Sequence, residues 1–131
     1  MEALSFDTTF LIDFQRERRK TPGAATRFLE AHRESPAYLS VVAIGEFAEG
    51  FVSRSDPVFL SVVESFEVLD VNRRVAAAYA RITRSLRRNG NLIGTNDLWI
   101  AAVSVAHSLP LVTRNAEHFS RIADLKVVAY G

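Results

Sequence analysis

Short apolar runs alternate with longer amphipathic segments along the chain, and this alternation predicts strands and helices in turn. The predicted strands cover about residues 3–7, 36–40, 66–70, 109–113 and 126–129. The predicted helices cover about 8–19, 24–33, 41–53, a segment from 57 capped by Asp56, 73–88 capped by Asn72, a segment starting within 95–97, and a short stretch after Asn115. Each strand is therefore followed by at least one helix or by the end of the chain.

Strands and helices that alternate through short connections favour a parallel sheet with helices on both faces. We therefore predict an α/β fold, a three-layer sandwich with a central, mostly parallel sheet. The run 109–113 is predicted to be the central strand, and 126–129 an edge strand. Because no linker, repeat or low-complexity segment interrupts the pattern, residues 1–131 are expected to form a single domain.

Composition narrows the functional classes. The 131 residues are 48% hydrophobic and 24% charged, which is ordinary for a soluble protein. No apolar run approaches the roughly 20 residues of a membrane-spanning helix, and no secretory signal pattern opens the chain, so we expect a cytoplasmic protein without a membrane partner. The absence of cysteine excludes disulfides, thiolate zinc sites and thiol nucleophiles.

The formal net charge of +1 gives no global argument for nucleic-acid binding, but the cations are unevenly distributed. They form two clusters: Arg16, Arg18, Arg19 and Lys20, and then Arg81, Arg84, Arg87 and Arg88. The three-and-four spacing of the second cluster places it on one helical stripe. Such a stripe is usually a solvated helix face, but beside an acidic site it would also suit the backbone of a polyanion.

Four polar residues interrupt the edges of apolar runs: Asp7, Glu46, Asp97 and Asn115. Asp7 and Asn115 follow predicted strands, whereas Glu46 and Asp97 lie on or at the start of predicted helices. The carboxyl ends of parallel strands meet at one edge of a sheet, where ligand sites gather. We therefore expect the four side chains to share one crevice.

Each of these residues also has a purely structural interpretation. Asp7, Asp97 and Asn115 are natural helix-cap or turn residues. Glu46 has mostly apolar helix neighbours, and a lone carboxylate is costly to bury, so it needs a partner. Converging carboxylates raise one another's pKa values, so a cluster ordinarily implies a bound cation or a paired basic group.

The side chains that could bind a metal, and the catalytic motifs that the sequence lacks, narrow the possible metals and reactions. Oxygen donors without cysteine favour Mg²⁺ or Mn²⁺ over Zn²⁺, and the scattered histidines His32, His107 and His118 are interpreted as structural or solvated. The chain contains no phosphate-binding glycine loop, no G-x-S-x-G elbow and no G-x-G-x-x-G fingerprint. Nucleotide hydrolysis at a phosphate loop, serine hydrolysis and dinucleotide redox chemistry are therefore disfavoured.

Four ordered motifs carry a resemblance that covers nearly the whole chain. They are Asp7-Thr8-Thr9-x-Leu11-Ile12-Asp13, Ile44-Gly45-Glu46-x-x-x-Gly50, Asn96-Asp97-Leu98-Trp99-Ile100-Ala101-Ala102, and Leu111-Val112-Thr113-Arg114-Asn115-x-x-His118-Phe119. With these motifs the chain resembles the PIN-domain family, and more narrowly the VapC-type toxin ribonucleases of bacterial and archaeal toxin–antitoxin pairs. Each motif is weak alone, and the ordered set is specific.

The resemblance implies a compact α/β sandwich that acts as a metal-dependent endoribonuclease on RNA. It also implies a homodimer that a small VapB-like antitoxin inhibits. By motif matching, Asp7, Glu46 and Asp97 take the acidic positions that bind Mg²⁺ or Mn²⁺. Asn115 takes a fourth catalytic position, where its neutral amide is a weaker metal ligand than the aspartate of other members.

Further motif positions have expected supporting roles. Thr9 and Thr113 match polar positions that orient the acids, and Asp13 is interpreted as structural. Arg114 is a candidate phosphate clamp or, equally, a surface arginine. Two alternatives to a toxin stay open: a nuclease of the same fold outside toxin–antitoxin biology, and a non-catalytic module that binds RNA or a protein.

Overall fold

The computed structural model describes all 131 residues, which form five strands and seven helices. The strands are β1 (Leu4–Phe6), β2 (Ala37–Ser40), β3 (Glu67–Leu69), β4 (Leu111–Thr113) and β5 (Val127–Ala129). The helices are α1 (Thr8–Arg18), α2 (Ala24–Ala31), α3 (Val41–Ala48), α4 (Pro57–Val63), α5 (Arg73–Arg88), α6 (Thr95–Ala106) and α7 (Ala116–Phe119). No helix combines the length and apolar character that crossing a lipid bilayer requires. The predicted alternation of strands and helices is confirmed.

The five strands form one parallel sheet in the order β3–β2–β1–β4–β5. The chain lays β2 and β3 on one side of β1 and then returns past β1 to place β4 and β5 on the other. The prediction that 109–113 is the central strand is therefore wrong, because β4 lies beside the middle strand β1. β1 and β4 are both fully buried, so their apolar sequences alone do not show which of the two lies in the middle of the sheet. The predicted edge strand at 126–129 is confirmed as β5.

Helices cover both faces of the sheet, and each face has its own hydrophobic core. One core packs Phe10 of α1 against Phe6 of β1, together with residues of α2 and α4. The other joins α5 and α6, including Ile100, to Leu111 of β4. Successive strand residues point to opposite faces, so Leu111 and Val112 belong to different cores. This arrangement confirms the predicted three-layer α/β sandwich.

The predicted helix starts are largely confirmed, with one helix shorter than expected. The side chains of Asn72 and Asp56 accept amide hydrogen bonds from the first turns of α5 and α4. The helix predicted to extend to about Ser53 instead ends at Ala48. Gly50 follows closely, and glycine is less favourable than alanine in a helix by about 1 kcal/mol, which accounts for the early end.

A glutamate of α1 caps α2 from outside that helix. The Glu17 carboxylate accepts hydrogen bonds from the backbone amides of Gly23, Ala25 and Thr26, at 2.8 to 3.1 Å. A Cβ added at Gly23 would lie 2.7 Å from the Glu17 carboxyl carbon, so a larger residue there would push the carboxylate away from these amides. Glu17 therefore joins the first two helices on the face that supports β1.

Replacing Glu17 with alanine is expected to lower the free energy of unfolding by about 1–2 kcal/mol, because three amides at the start of α2 lose their acceptor. Urea unfolding at neutral pH measures this change. Glu34→Ala is the matched control, since Glu34 is exposed and outside both helices. Equal unfolding midpoints for the two variants would contradict the capping role.

Candidate active site

The order of the strands creates a switch point between β1 and β4. From β1 the chain proceeds to β2 on one side, and β4 lies on the other, so the connections that leave β1 and β4 diverge. Open parallel sheets bind ligands in the crevice outside the carboxyl ends of such strands. Asp7 follows β1 directly, and Thr113 is the last residue of β4. The sheet therefore brings these two residues together across a separation of more than a hundred positions.

Asp7 is buried beside the sheet, with only 2% of its surface exposed. Its Oδ1 accepts from the Phe10 amide at 3.0 Å and from the Thr9 hydroxyl at 2.8 Å. Its Oδ2 accepts from the Thr113 hydroxyl at 2.6 Å. Burial raises the pKa of Asp7 despite these three bonds, and the charge of Asp97 raises it further. Asp7 thus caps α1, as predicted, and also lies within electrostatic reach of a second acid.

Asp97 lies within the first turn of α6, where Gly94 and not Thr95, Asn96 or Asp97 occupies the cap position. Its carboxylate is therefore not used for capping. Asp97 Oδ2 is 3.0 Å from Nε2 of His118 on α7. Burial raises the pKa of Asp97, the His118 contact opposes that rise, and the charge of Glu46 adds to it. Asp97 is thus coupled to both of the other predicted acids.

Glu46 projects from α3 and has two neutral partners. Thr8 donates its hydroxyl to Oε1 at 2.6 Å, and the Asn96 amide donates to Oε2 at 3.0 Å. The partner that Glu46 was expected to need is therefore a pair of polar side chains from α1 and α6. No cationic side chain neutralises it, so its charge remains available to the site.

The four predicted residues do not line one common cavity. Glu46 and Asp97 line a cavity of about 310 Å³ together with Gly94, Thr95 and Asn96. Asn115 lines a separate cavity of about 300 Å³ that also includes His118. The largest cavity, about 640 Å³, lies near the amino end of β2 and contains none of the predicted site residues. Asp7 lines none of these three cavities, in keeping with its burial. Asp97 contacts His118, which lines the cavity of Asn115.

The donor set fits a hard divalent cation through two carboxylates. No three His, Asp or Glu side chains are grouped closely enough to enclose a metal ion on their own. Mg²⁺ rarely needs such a cage, because it keeps several waters and takes one or two carboxylates plus substrate phosphates. Burial raises the pKa values of Asp7 and Asp97, and the negative charge of a neighbouring carboxylate raises them further. A bound cation would offset that negative charge.

Arg114 lies beside the site but is held by another acid. Its NH1 donates to both carboxylate oxygens of Asp13 at 2.8 Å. The Tyr130 hydroxyl donates to the same carboxylate at 2.6 Å, and burial together with this contact raises the pKa of Tyr130. Asp13 therefore has the structural role expected of it, joining α1 to the chain after β4 and β5. The Arg114 side chain remains 53% exposed.

The sequence interpretation missed three polar partners of the acids. Thr8 and Asn96 hold Glu46, and His118, interpreted as structural or solvated, contacts Asp97. All three lie inside the motifs that carried the family resemblance. Their position beside the acids in those motifs was the available signal, but side-chain pairing between different helices is not visible in a linear pattern.

Replacing Thr113 with valine is expected to lower the free energy of unfolding by about 1–3 kcal/mol, because valine keeps the shape and leaves buried partners unpaired. Thr113 is fully buried, donates to Asp7, and accepts from the Asn115 amide at 2.9 Å. Urea unfolding at neutral pH measures the change. Thr21→Val, at an exposed position, is the control. A wild-type midpoint for Thr113→Val would show that these bonds do not support the site.

The chain is similar to known proteins along almost its whole length. The family model of the PIN domain matches residues 5–125. Ribonuclease VapC1 of Methanocaldococcus jannaschii is 28% identical over 125 residues, which cover 95% of this chain and 84% of the relative. The structure of VapBC-1 from nontypeable Haemophilus influenzae is 26% identical with a TM-score of 0.80, covering 98% of each chain. VapBC-5 of Mycobacterium tuberculosis, a member of the VapBC family of toxin–antitoxin systems, is 25% identical with a TM-score of 0.68, again covering 98% of each chain.

Proposed function

Because the chain belongs to the PIN domain family, we propose that it is a divalent-metal-dependent endoribonuclease that hydrolyses RNA phosphodiesters. We further propose that it is the toxin of a toxin–antitoxin pair and that RNA cleavage inhibits translation or growth. The similarity to ribonuclease VapC1 over 95% of the chain supports the reaction class. The similarity to VapBC structures supports the biological setting.

One arrangement carries the chemical part of the proposal: Asp7 is buried at the switch point, and Glu46 and Asp97 line a cavity that contains no cationic side chain. Asp97 raises the pKa of Asp7, and Glu46 raises the pKa of Asp97. A protein gains nothing in stability from placing like charges together, so their clustering indicates a cation and a substrate that complete the site.

Under this proposal the residues around the acids have distinct tasks. Asp7 and Asp97 hold Mg²⁺ or Mn²⁺, and Glu46 assists directly or through a water molecule. When bound, such an ion supplies a Lewis acid that lowers the pKa of water and offsets the charge that develops on the phosphate. Thr9 and Thr113 hold the two oxygens of Asp7 in a fixed orientation.

The remaining predicted residues act on the orientation of the site and on the substrate. His118 fixes the orientation of Asp97 through its ring nitrogen. Asn115 contributes a neutral amide in the cavity next to His118. Arg114 uses only NH1 to bind Asp13, so its other guanidinium nitrogens are free to bind a substrate phosphate.

The proposal includes partners that follow from the family. A small VapB-like antitoxin would bind and inhibit the protein, and the active form would be a homodimer in the cytoplasm. The whole chain would act as one nuclease domain. The solved relatives are VapBC assemblies, which supports the antitoxin but leaves dimerisation as an expectation from the family.

Cleavage of labelled RNA by the purified chain tests the proposal. Endonucleolytic products are expected with Mg²⁺ or Mn²⁺, and excess chelator should abolish them. Addition of the antitoxin encoded by a neighbouring short reading frame should also suppress cleavage. RNA binding without cleavage at any concentration of either ion would instead favour the non-catalytic binding module.

A further inference from the structure

Helix α5 is the most cationic element of the protein. It contains six arginines and no acidic residue, although the whole chain has a net charge of only +1. One face of α5 is buried through Val75, Ala78, Ile82 and Leu86, and its arginines are exposed. An exposed face with so many cations attracts polyanions, and this attraction is useful to the protein when the face adjoins a site that acts on a polyanion.

A polar cavity connects the acidic site to this region. The cavity of about 300 Å³ begins at His118, which contacts Asp97, and is otherwise lined by Arg114, Asn115, Glu117 and Arg121. None of the lining residues is hydrophobic. Protein-binding surfaces usually have an apolar or aromatic centre, so this lining favours a charged and hydrated ligand over a protein.

Arg121 continues the path towards α5. It also lines a second cavity, of about 200 Å³, together with Arg81 and Ser85 of that helix and Asn89 at its carboxyl end. Four of the nine residues that line this second cavity are hydrophobic, and Asp124 is its one acid. His118, which contacts Asp97, lines the first cavity, and Arg121 lines both cavities, so shared lining residues lead from Asp97 to Arg81. Ser85 and Asn89 add a hydroxyl and an amide that can donate to phosphate or sugar oxygens.

The arginines along this path make only weak interactions with other groups of the protein. Arg121 has no carboxylate partner and reaches only the Leu92 carbonyl oxygen, at 3.5 Å. Arg81 Nε is 3.6 Å from Asp124, and both side chains are more than half exposed. Exposed ion pairs of this kind contribute at most about 1 kcal/mol, so a phosphate can displace Asp124. Glu117 is the other acid along the path.

We propose that Arg121 and Arg81 bind successive phosphates of single-stranded RNA and guide the strand from the acidic site onto α5. This path, here called the arginine track, comprises His118, Arg121 and Arg81. It rests on the proposed function, which makes RNA the substrate. A flexible single strand can follow two small cavities that share a lining residue, and its phosphates can pair with the exposed cations along them.

Binding of a single-stranded RNA of about 12 nucleotides tests the arginine track, because that length is within the range one small domain can contact. The protein is kept in chelator, so that affinity is measured without turnover. Fluorescence anisotropy is recorded from about 50 to 200 mM KCl for the wild type and for Arg81→Gln/Arg121→Gln. The control is Arg27→Gln/Arg33→Gln, which removes the same charge from exposed positions at α2.

The track variant is expected to bind about 20-fold more weakly near 0.1 M KCl, with a salt dependence less steep by about 1.4, since each phosphate contact to a single strand contributes about 0.7. The control should stay within about two-fold of the wild type, because no phosphate contact is lost. Wild-type affinity and salt dependence in the track variant, or an equal loss in the control, would overturn the proposal. Far-ultraviolet circular dichroism confirms that both variants are folded.

Cleavage assays separate this proposal from the proposed function. A wild-type protein that never cleaves RNA, but binds it through Arg81 and Arg121, would reject the nuclease and retain the track. A protein that cleaves RNA, but whose affinity for RNA does not depend on these arginines, would retain the nuclease and reject the track.

Discussion

Replacing Asp97 with asparagine is expected to slow RNA cleavage by roughly 10³-fold, which corresponds to a loss of about 4 kcal/mol of transition-state stabilisation. Asparagine keeps the size and one oxygen of the side chain but removes the charge that would hold the cation. The same result is expected for Asp7→Asn. Initial rates on a labelled RNA, measured with saturating Mg²⁺ or Mn²⁺, provide the comparison.

The fold should survive both substitutions. Burial raises the pKa of each aspartate, so the ionised form is disfavoured in the folded protein. For Asp97→Asn, an unfolding midpoint equal to or above that of the wild type is therefore expected. Asp7→Asn also removes one acceptor oxygen from the buried contacts with Thr9, Phe10 and Thr113, so its free energy of unfolding is expected to fall by about 1–3 kcal/mol while the fold is retained. Asp70→Asn, at an exposed position after β3, is the matched control for charge. Wild-type cleavage by either site variant would remove these acids from the mechanism.

The second large effect concerns stability as a function of pH and metal. Without divalent ions, the contribution of Asp7 and Asp97 to the free energy of unfolding is expected to be fully present below their unfolded pKa, near 3.8. It is lost as the pH rises through the higher pKa values that the two groups have in the folded protein. Glu17 acts in the opposite direction, because its folded pKa is lowered and its contribution disappears in acid.

A divalent cation should reverse the loss at neutral pH. Binding at about 100 times the dissociation constant adds about 2.7 kcal/mol to the free energy of unfolding. For a chain of this length that corresponds to a rise of roughly 10 °C in the melting temperature. Thermal unfolding with MgCl₂ or MnCl₂, at matched ionic strength, measures the shift.

The double variant Asp7→Asn/Asp97→Asn isolates this effect from that of Glu17. It should lose both the pH dependence attributed to the aspartates and the stabilisation by metal. An equal rise in melting temperature for the double variant and the wild type would show that the ion binds elsewhere.

The parts of the site that depend on chain order were predictable from the sequence. Asp7 and Thr113 follow or end short apolar runs, and parallel strands necessarily place such residues at one edge of a sheet. The Asn72 cap and the full extent of α5 were also predictable, because local capping and periodicity define them. The identity of the middle strand was not, since β1 and β4 are both completely buried and differ only in their position in the sheet.

The parts that depend on packing between helices could not be predicted. The pairing of Glu46 with Thr8 and Asn96 requires α1, α3 and α6 to meet, and the contact of His118 with Asp97 requires α7 to return beside α6. The contact of Arg114 NH1 with both carboxylate oxygens of Asp13 likewise joins residues about a hundred positions apart. No linear spacing encodes these distances. The single crevice expected for the four residues is therefore wrong: Glu46 and Asp97 line one cavity, Asn115 lines another, and Asp7 is buried outside both.

Calorimetric titration of Mn²⁺ into the purified protein at neutral pH tests whether Asp7 and Asp97 form a cation site, because it measures binding of the ion without relying on cleavage. We expect saturable binding by the wild type and by Asp70→Asn, and no measurable binding by Asp7→Asn/Asp97→Asn. Identical binding curves for the wild type and the double variant would contradict it.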